Sequence, residues 1–304
     1  MISKFVVEAL EQFVPAENIH LDESMALHTT FRAGGPADCF IEISQANQLQ
    51  EIQNYLQKVD IPYFILGNGS NLLVSDKGYR GVVLEICNKM NEITVSGNKI
   101  TAKAGAMMSK VANVAVQNGL TGMEFASGIP GTVGGGVVMN AGAYGGEMSQ
   151  VVETVTVVNK EGEMLTLNNQ EMDFGYRHSM IKNKPFTVVE VTYVLREGEE
   201  SQIRGQMEEL NKKRREKQPL EYPSAGSTFK RPEGYFAGEL IMKSDLAGFS
   251  VGGAQVSEKH CGFIINKGNA TAGEIMELIG IVQKKVMEKF QVSLEPEVIF
   301  LGEF

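Results

Sequence analysis

Gly119 to Met148 read GLTGMEFASGIPGTVGGGVVMNAGAYGGEM, a run that carries ten glycines and almost no charge. Glycine lets the backbone reach positive φ and lets main-chain N–H groups approach a ligand with no Cβ in the way, which suits a phosphate-bearing ligand. A flexible linker would be serine-rich and polar. Here Ile129, Val133, Val137, Val138 and Met139 demand burial, so the run is expected to be packed and shaped. On glycine content alone two readings stay open: a phosphate cradle, or a glycine-rich corner between packed strands.

Upstream, Leu49, Ile52, Tyr55 and Leu56 mark a helix between apolar strands at 39–43 and 63–66, the pattern of a βαβ unit. The second strand runs into Gly67, Asn68, Gly69, Ser70 and Asn71, a turn that exposes several N–H donors and a hydroxyl. It serves as a β-turn as readily as an anion site. A GxGxxG fingerprint would need glycine where Leu72 stands, and no GxxxxGK[ST] occurs. Hairpins are expected around Ser96-Gly97-Asn98 and Lys160-Glu161-Gly162, and a helix through Val111, Val114 and Ala115 that Gly119 ends. Residues 2–13 have helical spacing up to Pro15.

Downstream, 201–217 read as a polar helix ending in the basic run Lys212-Lys213-Arg214-Arg215-Glu216-Lys217. Such a run complements a helix C-terminus, or equally binds an anion. Pro219 and Pro223 mark a boundary before the serine turn AGSTFKRP at 225–232. Thr271 to Glu274 form a capping box opening a helix with Ile275, Leu278, Ile279, Val282 and Val286 on one face. The last apolar segment, Val298 to Leu301, reads as a strand with Glu297 at its start.

The 304 residues, 43% of them hydrophobic, are enough for a full core divided into two or three domains. The net charge of −9 argues against nonspecific nucleic-acid binding. No apolar run reaches roughly 18 residues, and MISKFVVEALEQF lacks a signal peptide's apolar core and cleavage site, so a cytoplasmic chain without membrane insertion is expected. The three widely spaced cysteines, Cys39, Cys87 and Cys261, read as buried free thiols, and the four scattered histidines offer no metal site.

The segments HTTFRAGGPAD, LGNGSNLLVSDKGYRG, GIPGTVGGGVVMNAGAYGGE, FGYRHSMIK, AGSTFKRP, VGGAQVSEKHCGFIIN and LEPEV resemble, in order and nearly end to end, those of the UDP-N-acetylenolpyruvoylglucosamine reductase family. The short link after FGYRHSMIK resembles the subtype that lacks an inserted tyrosine-bearing loop. The resemblance implies an α+β fold: a two-part FAD-binding region of the vanillyl-alcohol-oxidase (PCMH) type plus a C-terminal α+β substrate-binding domain. The implied division is 1–85 joined by the strand 296–304, then 86–218, then 219–295.

The same resemblance assigns residues. Gly67, Asn68, Gly69, Ser70 and Asn71 match the first FAD-phosphate loop. Gly128, Ile129, Pro130, Gly131, Thr132, Gly134 and Gly135 match the second, with Asn140 and Gly142 carrying on toward the flavin. Arg177, Ser227 and Glu297 match the catalytic positions. Tyr144, Arg214, Lys217 and Arg231 match substrate-binding positions. What it implies is a monomer with noncovalent FAD and no metal, reducing UDP-N-acetylglucosamine enolpyruvate with NADPH in peptidoglycan precursor synthesis. Both substrates would use one cleft in turn, hence ping-pong kinetics. Two other readings compete: a related flavin oxidase using oxygen, disfavoured because many such enzymes tether flavin through histidine or cysteine and 119–148 hold neither, and a noncatalytic nucleotide-sugar or flavin-binding module.

Overall fold

The structure, a computed structural model, describes residues 2–304. The chain forms two compact units. One takes the residues up to His20 with Cys39–Asn68 and Gly81–Arg214, and the other takes Leu21–Asp38, Gly69–Arg80 and Arg215–Phe304. Each has its own apolar core. Residues 1–85 thus contribute to both units.

In the first unit, helix α1 (Lys4–Leu10) is capped by Ser3 and is shorter than the apolar spacing predicts, because the chain tightens into turns before Pro15. Helix α2 (Ala46–Lys58) begins at a capping box of Gln45 and Gln48 and buries Leu49, Ile52 and Leu56, as their spacing predicts. The flanking strands, Pro36–Glu42 and Tyr63–Leu66, share a sheet but are not neighbours, since Tyr79–Glu85 lies between them and pairs parallel with Tyr63–Leu66. Both expected hairpins form. Ile93–Ser96 pairs with Lys99–Lys103, Val152–Val158 pairs with Met164–Asn168, and Thr187–Val194 joins them into one five-stranded antiparallel sheet. Helix α3 (Met108–Gln117) buries Val111, Ala112, Ala115 and Val116 and is followed by Gly119 at φ 64°.

The glycine-rich run is more regular than its composition suggests. A 3-10 turn, Glu124–Gly128, precedes helix α4 (Val133–Val138), with Thr132 as N-cap. Three of the ten glycines are inside this helix, where the sequence reading expects only shaped loop. Helix α5 (Glu200–Lys217) is polar and buries only Ile203 and Met207.

In the second unit, helix α6 (Ala237–Lys243) and helix α7 (Ala272–Phe290) accompany a three-stranded antiparallel sheet of Ser250–Val251, Ala254–Val256 and Ile264–Asn266. The expected capping box opens α7, and Asp76 adds to it, its two carboxylate oxygens each 2.8 Å from the Ala272 and Gly273 amides. The predicted stripe on α7 is buried, each such aliphatic side chain contributing about 1.5–3 kcal/mol of hydrophobic burial. The final strand, Ile299–Leu301, pairs parallel with Leu72–Val74.

Candidate functional site

In the first unit the start of one glycine loop meets the other. Gly67 follows the strand Tyr63–Leu66, and a Cβ on it would lie 2.4 Å from Thr132 Oγ1. The Asn68 amide donates to the Pro130 carbonyl at 2.6 Å. The half-buried thiol of Cys87, its pKa pushed up to about 11 chiefly by burial, stays protonated 3.9 Å from Asn68 Oδ1. The second loop is pinned in turn to the segment before α3: Val133 and Gly134 donate to the Ala106 and Ala104 carbonyls, both at 2.8 Å. Gly134 therefore serves close packing, where a Cβ would come 3.0 Å from Ala104 Cβ, and its N–H is not available to an anion. Beside this turn the hydroxyl of Ser127 is buried with no hydrogen-bond partner among the described residues. Two loops held at glycine contact, with an orphaned hydroxyl next to them, suit a ligand that brings its own hydrogen-bonding groups, as FAD does.

The end of α5 reaches the same turn. A Cβ on Gly128 would lie 2.8 Å from Asn211 Oδ1 and 2.9 Å from Arg214 Nη1, so two predicted site residues, Gly128 and Arg214, are neighbours. Burial holds the Arg214 guanidinium below its ordinary pKa, and Tyr144 partly offsets this. Tyr144 is exposed and, with Gly145, forms a two-residue turn at φ 54° and 90° between Gly142–Ala143 and Gly146–Glu147. This pair of left-handed residues is the backbone that the tightest hairpins require.

Arg177 also belongs to this unit, in a turn closed by Gly175 N to His178 O (3.0 Å) and His178 N to Gly175 O (3.1 Å). Its φ is 53°, a left-handed conformation costing a non-glycine residue about 1 kcal/mol or more. Its guanidinium carbon lies 5.4 Å from the Tyr176 ring centre. Asn140, a residue expected at the cofactor, has both side-chain amide atoms hydrogen-bonded within the protein, accepting from Ser149 N at 2.9 Å and donating to Gly175 O at 3.0 Å.

In the second unit, Gly69 has φ 58° and a Cβ there would lie 2.0 Å from the His28 carbonyl oxygen, so only glycine fits. Asn71 Nδ2 donates to the Glu297 carbonyl, and Ile299 N to the Asn71 carbonyl, both at 3.0 Å. Glu297 N donates to Thr228 O, and Lys230 N to Glu295 O, both at 2.8 Å, around an antiparallel bridge of Phe229 with Pro296. Asn71, the serine turn and Glu297 are thereby strung on one set of backbone hydrogen bonds. Ser227 is half-buried between Gly226, at φ 75°, and Thr228, whose buried hydroxyl accepts from Ile264 N at 3.0 Å. Lys217 is exposed at the end of α5. Arg231 stacks its guanidinium 4.0 Å from the Phe236 ring centre and donates to the Tyr235 carbonyl.

His260 belongs to the same unit. Its Nδ1 accepts from Gly262 N at 3.2 Å, its ring packs edge-on against Phe263, and its pKa is lowered by burial first and by the Lys217 cation besides. A neutral imidazole thus stands close to Lys217, beside the glycine whose carbonyl accepts from Thr228 N. Ser127 and His260 are the polar groups the sequence reading leaves out, and no spacing rule marks either.

Residues 37–168 match the family described as FAD binding domain, and residues 218–301 match that described as UDP-N-acetylenolpyruvoylglucosamine reductase, C-terminal domain. The chain is 52% identical over 302 residues to the UDP-N-acetylenolpyruvoylglucosamine reductase of Caldanaerobacter subterraneus, covering 99% of this chain and 100% of that one. It is 51% identical over 300 residues to that of Clostridium botulinum strain Langeland, covering 99% and 98%. Among solved structures, the UDP-N-acetylenolpyruvylglucosamine reductase of Thermus caldophilus matches with a TM-score of 0.80 at 33% identity, covering 93% of this chain and 98% of that one. The glucose dehydrogenase Phl p 4.0202 matches with a TM-score of 0.50 at 15% identity over 64% of this chain and 44% of its own, a likeness of fold alone.

Proposed function

This chain belongs to the UDP-N-acetylenolpyruvoylglucosamine reductase family and is an FAD-dependent oxidoreductase; on that premise we propose that it reduces UDP-N-acetylglucosamine enolpyruvate to UDP-N-acetylmuramate with NADPH, as a cytoplasmic monomer. The observation that carries the reading is the meeting of Gly67 and Asn68 with Pro130 and Thr132, supported by the backbone ladder that sets Glu297 beside the serine turn.

Gly67 to Asn71 and Gly128 to Gly135 would hold FAD. Bound FAD supplies a hydride taken from NADPH. Hydride addition to one carbon of the enolpyruvyl double bond leaves the other electron-rich, in an enolate-like anion. Arg177 binds the substrate carboxylate, a planar cation against a planar anion, and lowers the energy of that charge. Ser227 gives the hydroxyl proton to the electron-rich carbon. A serine is a weak acid and suffices because the carbon is a strong base, with neighbouring cations stabilising the alkoxide left behind. Glu297 matches the family's glutamate, which in its protonated form would donate a hydrogen bond to the charge-rich intermediate. Lys217, Arg214 and Arg231 supply positive charge for the diphosphate in an otherwise acidic chain. The three-part division at 85, 218 and 295 remains our proposal, supported by the pairing of the last strand with Leu72–Val74.

The test is spectroscopic. The purified protein should be yellow, bleach with NADPH under anaerobic conditions, and be reoxidised faster by the enolpyruvyl sugar nucleotide than by oxygen. Faster reoxidation by oxygen would make it an oxidase, and protein that takes up no FAD would refute the proposal. Initial-rate plots should be parallel, as ping-pong kinetics require.

A further inference from the structure

Asn140 sits just beyond the end of α4, 2% exposed and at φ 42°, a backbone conformation that asparagine tolerates better than most residues. Its Oδ1 accepts from Ser149 N and its Nδ2 donates to the carbonyl of Gly175. That carbonyl also accepts from His178 N, while Gly175 N donates to the His178 carbonyl, so Gly175 holds both ends of the turn that carries Tyr176 and Arg177. On the far side of the turn the fully buried Ser179 donates from Oγ to the Val138 carbonyl at 2.9 Å, the last residue of α4. The Arg177 turn is thus bonded at two points to the C-terminal end of the glycine-rich helix. A left-handed arginine stays in place only if its surroundings over-determine it.

We propose that Asn140 is a positioning residue for Arg177: its carboxamide, through the Gly175 carbonyl, sets where the Arg177 backbone stands relative to the glycine-rich segment, and it does not itself bind the cofactor. The proposal rests on the reading of Arg177 as the ligand of the substrate carboxylate. It gives the glycine-rich run a second task. The same short helix that follows the cofactor turn also fixes the residue that orients the substrate.

The holoenzyme tests this through its two half-reactions, followed by flavin absorbance in anaerobic rapid mixing. Asn140→Gly removes both side-chain bonds without backbone strain, since glycine accepts positive φ. Asn140→Asp keeps an acceptor for Ser149 N but has nothing to donate to Gly175 O. Both variants are expected to retain FAD, to bleach with NADPH within about twofold of the parent, and to be reoxidised by the enolpyruvyl substrate about 10- to 100-fold more slowly, the scale of a misplaced orienting group. In an Arg177→Ala background, Asn140→Gly should slow reoxidation no further. Additive losses in the double variant, equal losses in both half-reactions, or wild-type reoxidation by Asn140→Asp would each overturn the positioning role alone. Wild-type reoxidation by Arg177→Ala would overturn both this proposal and the reading it rests on. Should Asn140→Gly not fold, Asn140→Asp decides the matter by itself.

Discussion

Gly67→Ala offers the sharpest test of how the two glycine loops make one site. The added Cβ would sit 2.4 Å from Thr132 Oγ1 and 3.3 Å from Thr132 Cγ2, against an ordinary contact of about 3.5 Å. The overlap of about 1 Å falls on a threonine that is 1% exposed and caps α4 by accepting from Gly135 N. Relief therefore requires either a rotated Thr132, giving up a cap worth about 1 kcal/mol, or parted loops, stretching the Asn68 to Pro130 hydrogen bond of 2.6 Å. Overpacking of this size costs about 1–3 kcal/mol. If the strain falls on the cofactor site, a midpoint of about 2 kcal/mol weakens FAD binding about 30-fold. Titration of deflavinated protein with FAD, read by quenching of flavin fluorescence, measures the change. Thr132→Ala alone should cost about 1 kcal/mol for the lost cap. If the two sites were independent, the double variant would lose about 3 kcal/mol. Because the alanine at 132 removes the colliding oxygen, it should lose only about 1 kcal/mol. Wild-type affinity in Gly67→Ala, or additive losses in the double variant, would refute the steric account of the paired loops.

Ser227→Ala should leave bleaching by NADPH nearly intact while slowing reoxidation by the enolpyruvyl substrate by at least about 100-fold, and equal loss in both steps would make Ser227 scaffold. Asp76→Ala removes the carboxylate that accepts from Ala272 and Gly273 at the start of α7 and should lower unfolding free energy by about 1–2 kcal/mol, seen as an earlier urea midpoint with unchanged slope. Glu85 is 3% exposed, and burial, reinforced by the Glu42 charge, pushes its pKa up from 4.5 to about 7. The folded protein therefore holds this proton more tightly than the unfolded chain, so stability falls as pH rises from about 4.5 to about 7, by about 3 kcal/mol in all, and is then level. Glu85→Gln, which can still accept from Asn88 Nδ2, should remove that slope, and urea midpoints at pH 5 and pH 8 with the same difference in both proteins would contradict it.

Much of this molecule was legible in local pattern. The helices at 46–58, 108–117 and 272–290, both hairpins and the capping box at Thr271 follow from spacing and turn chemistry that act over a few residues. The glycine loops announced themselves by composition. Their internal organisation did not, because glycine is compatible with positive φ, with tight packing and with a helix. Gly69 and Gly145 use the first option, while Gly134 and Gly136 are in a helix where a Cβ would crowd Ala104 and Met108. The same ambiguity hides Asn140, whose residue type suits a ligand contact as well as the internal bonds it makes.

By itself the sequence determined the local elements, the acidic balance, and seven ordered segments specific enough to place the chain in its family. Only the tertiary structure decided which of those segments touch: Asn68 with Pro130, Asn71 with Glu297, Thr228 with Glu297, and Asn140 with Gly175. The reason is physical. Propensity, capping and periodicity are properties of neighbours along the chain, whereas a hydrogen bond between residues 62 or 226 positions apart exists only once burial of two separate cores has brought the strands together.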